Sequence, residues 1–153
     1  MIYHPDYREL LELFNAHALE YLVVGGYAVA HHGYSRFTGD LDLWIQATES
    51  NATRVLEAMK QGGFPVFGTT IEDIAQHKRF IRMGQEPYGL DILSEIPGVD
   101  FATAYATKQV LDADGLPVNF INLKHLVANK KASGRLVDLN DVNNLPDPDN
   151  PEK

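Results

Sequence analysis

The chain has 153 residues and a formal charge of −8, from 21 acidic and 13 basic side chains. That length suits one domain with a sizeable core, and the acidity argues against a broad nucleic-acid-binding surface. No apolar run approaches the ~20 residues that span a bilayer, and the absence of cysteine removes disulfides, thiolate metal sites and cysteine nucleophiles.

Pro5–Leu19 carries an apolar stripe at helical spacing, with Pro5 suited to the first turn. Tyr21–Val24 is strand-like and runs into Gly25-Gly26, which breaks it. A short helix from Tyr27 should follow, stopped by Gly33. The glycine pair thus sits where a strand becomes a helix N-terminus, and backbone N–H groups exposed there suit a phosphate. His31 and His32 are neighbours on a helix and diverge, so one metal could not easily use both. Ser35–Gly39 is a polar loop in which Thr38 shapes the backbone through a local hydrogen bond.

Asp40-Leu41-Asp42-Leu43-Trp44-Ile45 reads as a strand. Alternation puts Asp40 and Asp42 on one face and Leu41, Leu43 and Ile45 on the other. Two carboxylates side by side repel each other unless a cation joins them. Hard divalent cations take oxygen ligands and pair in phosphoryl-transfer sites. The alternative is a pair of solvated residues on an exposed strand. Trp44 shares their parity and packs under a helix or borders a pocket.

Further helices are expected at Glu49–Gln61, stopped by Gly62-Gly63, and at Ile71–Gln76. Arg79–Leu93 reads as a β-hairpin turning at Gln85-Glu86-Pro87. It carries Asp91 inside an apolar run, where a carboxylate is costly without a partner. Arg79 or Arg82 would be a structural partner. The other reading makes Asp91 a third metal ligand. Pro97–Tyr105 is a loop and short helix, and Lys108–Ile121 is a second hairpin in which Pro117 suggests an edge position. Asn122 caps a helix over Leu123–Ser133, with Leu123, Leu126, Val127 and the Lys130 stem inward. A last helix spans Leu139–Leu145, with Asp138 capping it or pairing Arg135. Residues 1–145 form a single domain, and 146–153 an acidic, Pro-rich disordered or extended tail.

Gly25-Gly26, the spacer 27–39, and Asp40-Leu41-Asp42-Leu43 resemble the signature of the DNA polymerase β-like nucleotidyltransferase superfamily. The run Arg36-x-Thr38-x-Asp40-x-Asp42 is similar to the small bacterial members, including toxin-type enzymes. The order Lys130/Lys131, Arg135, Asp138-x-x-Asp141 looks like their C-terminal motif. The resemblance implies an α/β (α+β) nucleotidyltransferase fold: a mixed, twisted sheet of about five strands with helices mainly on one face. It implies transfer of a nucleoside monophosphate from a nucleoside triphosphate to an acceptor, with release of pyrophosphate. Asp40, Asp42 and Asp91 would be catalytic and would hold Mg²⁺ (or Mn²⁺). Gly25, Gly26, Arg36, Lys130 and Arg135 would bind the nucleotide.

For Arg36, Lys130 and Arg135 the plain reading stays open: a surface arginine and a basic helix end meeting the dipole. The acceptor, whether a small molecule, a tRNA end or a protein side chain, is not legible. A protein partner or second subunit would complete a site this small. Two further readings are a non-catalytic nucleotide-binding or interaction module, such as a toxin–antitoxin component, and a metal-dependent phosphohydrolase. The N-terminal MIYHPDYREL lacks the apolar region of a signal peptide, so a cytoplasmic home is expected.

Overall fold

The computed structural model describes residues 4–76, 81–85 and 88–150. Its elements run α1 (Pro5–Ala16), β1 (Tyr21–Val24), α2 (Gly25–His31), β2 (Leu41–Ile45), α3 (Glu49–Gln61), α4 (Ile71–Ala75) and β3 (Ile81–Gln85). They continue as β4 (Tyr88–Leu93), α5 (Phe101–Ala106), β5 (Gln109–Ala113), β6 (Leu116–Phe120), α6 (Leu123–Ser133) and α7 (Leu136–Asn144). The six strands form one mixed sheet in the order β3-β4-β2-β1-β6-β5.

β1 lies inside the sheet, antiparallel to β2 and parallel to β6. All four of its residues are buried, which explains a continuous apolar run in place of an alternating one. β2 does alternate at its start. Leu41, Leu43 and Ile45 are fully buried while Asp42 is not. Leu10, Leu11 and Phe14 of α1 and Val55 and Met59 of α3 join them in one core. Trp44, on the opposite parity, is covered by α5 through an edge-on contact with Phe101 at 5.0 Å. One face of β2 is therefore closed by a helix at Trp44 and left accessible at Asp42.

α1 stops at Ala16, short of the expected Leu19, because Ala18 turns into the left-handed region (φ 54°) and Leu19 N–H bonds back to Phe14. α7 starts at Leu136, three residues before the expected Leu139, because the Asp138 carboxylate reaches back to accept the Arg135 N–H. Pro117 is not on an edge strand. β6 lies between β1 and β5, but β1 pairs with it only at Phe120, so β6 is unpaired on that side at Pro117. His31 stacks on Phe120 at 4.4 Å and His32 bonds the Ile121 carbonyl, so both histidines pack the fold. Of the first hairpin, Arg79 and the 86–87 turn lie outside the described residues. Residues 147–150 close a turn through an Asp147–Asn150 bridge.

Candidate active site

Strand pairing brings the acidic residues together. Val24, which leads into the glycine turn, is paired with Asp42, and Asp42 is paired with Asp91 on β4. A Cβ on Gly25 would overlap the Asp42 carboxylate, and one on Gly26 would overlap the Thr38 side chain. Gly25 also has a φ of +66°, in the region glycine tolerates. The glycine pair is thus required by what packs against it: the Asp42 carboxylate and the loop that carries Arg36 and Thr38.

The half-buried Asp42 carboxyl is pushed up to about 7, by desolvation first, then by the charge and hydrogen bond of Asp91, then by Asp40, with Lys130 opposing. Two carboxyls within hydrogen-bonding reach cannot both ionise cheaply, so near neutral pH the pair holds a proton between them. Asp40 stands one residue before β2. Its Oδ1 accepts the Gly89 N–H at 3.0 Å. Tyr7 secures this approach, its hydroxyl lying between the carbonyls of Gly39 and Gly89, at 2.6 and 2.5 Å, with its one proton to share. Arg82 on β3 faces the group, with Nη1 at 3.2 and 3.0 Å from the Asp91 oxygens and Nη2 at 3.4 Å from Asp40 Oδ2. It is the structural partner anticipated for Asp91, and Asp91 also stands beside Asp42.

The opposite wall is basic. Arg36 forks onto Asp141 with bonds of 2.7 and 2.9 Å. Lys130 is buried, with its ammonium 3.2 Å from Asp138 and 3.1 Å from Asp141. Arg135 donates to Asp138 at 2.8 Å while its side chain stays 70% exposed. Burial alone would raise both carboxyls. Hydrogen bonds from Arg135 and Lys130 outweigh it and hold Asp138 down at about 2, and those from Arg36 and Lys130 lower Asp141. Three cations against two carboxylates leave one net positive charge on this wall.

Both walls meet in one cavity of about 320 Å³, lined by Gly25, Gly26, Arg36, Thr38, Asp40, Asp42, Lys130 and Arg135 among others. Every nucleotide-binding residue expected from the sequence lies on it, as do Asp40 and Asp42. Asp91 stands next to Asp42, outside the lining. Sequence reasoning did not foresee that Asp141 knots Arg36 to Lys130, although Asp138-x-x-Asp141 was noted. Nor did it foresee Tyr7, for which a tyrosine in an apolar helix stripe carries no signal.

Among the described residues, no set of three His, Asp or Glu side chains forms a ready-made metal cluster. The donor set still suits a hard cation. Asp42 and Asp91 are oxygen donors holding a proton that a cation could replace, and Asp40 Oδ2 has a contact of 3.4 Å to Arg82.

No protein-family model and no curated protein matches the chain. Solved structures do. A candidate nucleotidyltransferase from Thermotoga maritima superposes with a TM-score of 0.59 at 16% identity, covering 94% of this chain and 91% of that one. The lincosamide antibiotic adenylyltransferase LnuA, with lincomycin bound, gives 0.56 at 14% identity, over 94% of this chain and 96% of that one. The chain therefore has the fold of the small nucleotidyltransferases, as the glycine-pair and Asp-x-Asp resemblance implied. Among the described residues no helix is long and apolar enough to cross a membrane.

Proposed function

We propose that the protein is a metal-dependent nucleotidyltransferase, moving a nucleoside monophosphate from a nucleoside triphosphate to an acceptor hydroxyl and releasing pyrophosphate. The observation that carries this reading is the facing of Asp40 and Asp42 and the Arg36–Lys130–Arg135 wall across one cavity, with Asp91 beside Asp42. Neighbours with this fold include an adenylyltransferase.

Gly25 and Gly26 present backbone N–H groups to the phosphates. Arg135, the exposed member of the basic wall, contacts the β- and γ-phosphates. Lys130 and Arg36 hold Asp138 and Asp141 neutralised and keep the wall positive. As the acceptor oxygen bonds to the α-phosphorus, the bond from that phosphorus to the β-bridging oxygen breaks. The acceptor proton passes to Asp91, which stands beside Asp42 on the neighbouring strand. Charge gathering on the departing pyrophosphate is stabilised by Arg135. Asp40, Asp42 and Asp91 would hold Mg²⁺ or Mn²⁺, which supplies Lewis-acid stabilisation of the phosphate oxygens.

Pyrophosphate release from triphosphate in the presence of cell extract and Mg²⁺ tests the proposal. Wild type should release it and Asp42→Asn should not, at matched thermal stability. Equal release by both proteins would remove Asp42 from the chemistry.

A further inference from the structure

The cavity ends in two apolar side chains that its phosphate chemistry does not use. Phe37, between Arg36 and Thr38, is 76% exposed, and Val137 on the first turn of α7 is 45% exposed. Both line the cavity that holds Gly25, Gly26 and Arg135. An exposed phenyl ring forgoes the stabilisation that burying it would yield. Here it also stands at the mouth of a polar cavity, on a strip fixed by the Arg36–Asp141 fork and by Thr38 packed under Gly26. The basic wall and the carboxylates account for phosphates. A triphosphate donor also brings a planar, apolar-faced ring attached through its ribose to the α-phosphate.

We propose that Phe37 and Val137 form the nucleobase subsite, with the base stacked on the Phe37 ring and Val137 closing the other side. The inference rests on the nucleotidyltransferase reading and adds how the donor is chosen. Stacking on an aromatic face is sequence-tolerant, because every base has a π-face. The protein should therefore accept all four triphosphates and rank purines above pyrimidines by ring area. Across the Arg36–Thr38 strip lies a second cavity of about 510 Å³, walled by His4, Tyr27 and Tyr88 and, among the described residues, lined by no lysine and no carboxylate. It shares Phe37 but not Val137, so the two cavities can be told apart by substitution.

The test is a calorimetric titration of wild type, Phe37→Ala, Phe37→Trp, Val137→Ser and Tyr88→Ala. Each is titrated with ATP and with inorganic tripolyphosphate, in Mg²⁺. Phe37→Ala should weaken ATP binding about tenfold, Val137→Ser should weaken it less, and neither should change tripolyphosphate binding. Phe37→Trp should restore ATP affinity, and Tyr88→Ala should leave it unchanged. Equal loss of both ligands in Phe37→Ala would make Phe37 a support for the loop and overturn the proposal. Loss of ATP affinity in Tyr88→Ala but not Val137→Ser would move the base to the second cavity and overturn it too. If wild type bound neither ligand, the nucleotidyltransferase reading itself would fail.

Discussion

Asp42 and Asp91 are register partners on the adjacent parallel strands β2 and β4, and burial, with the Asp91 carboxyl beside it, pushes the Asp42 carboxyl up to about 7. Because the folded Asp42 carboxyl titrates near 7 and its unperturbed value is 3.8, the native state binds a proton that the unfolded state has lost between those values. The associated stability is fully present below 3.8 and falls as pH rises through 7. Metal-free wild type should therefore melt lower at pH 8 than at pH 5 by more than Asp42→Asn does. Mg²⁺ with a triphosphate should recover the loss at pH 8, adding about 2.7 kcal/mol at a hundredfold its dissociation constant. Melting curves at the two pH values check this; an identical pH response in the variant would contradict it.

The basic wall divides into a buried member and an exposed one. Lys130 is enclosed by Asp138 and Asp141, so Lys130→Met leaves two buried carboxylates with less compensation and should cost about 3–5 kcal/mol in denaturant unfolding. Arg135 is 70% exposed, and Arg135→Ala should cost less stability than Lys130→Met. It should instead weaken triphosphate binding about ten- to a hundredfold. Monophosphate binding should change much less. Unfolding curves and calorimetry on the same pair of variants separate the two roles.

Gly25→Ala tests the packing of the turn. The added methyl would overlap the Asp42 carboxylate at a backbone φ of +66°. The variant should lose triphosphate binding together with stability. The double variant Gly25→Ala, Asp42→Ala should regain part of the stability and none of the binding. Recovery of both would show that the turn acts apart from Asp42.

Much of this site was legible because it is local. Gly25-Gly26, Asp40 and Asp42 fall within one strand–helix–strand stretch, and period-2 alternation alone separates Asp42 from Leu41 and Leu43. Asp91 was legible as a charge misplaced in an apolar strand. The pairings across long sequence distances were not. Nothing local in the sequence says that Arg36 forks onto Asp141, or that Arg82 faces Asp40 as well as Asp91. Those contacts depend on strand order and on how α7 docks. The start of α7 was misjudged because Asp138, read as capping that helix or pairing Arg135, pairs Arg135 from inside the first turn. Pro117 misled because a strand inside the sheet can be unpaired over part of its length.

The most direct test of nucleotidyl transfer follows the label of the donor. Wild type and Asp42→Asn would be incubated with cell extract, Mg²⁺ and triphosphates labelled at either the α- or the γ-phosphate. Stable transfer of the α-label to an extract component, none of the γ-label, and no transfer by Asp42→Asn is the predicted result. Release of γ-labelled inorganic phosphate without α-label transfer, or equal transfer by Asp42→Asn, would contradict it.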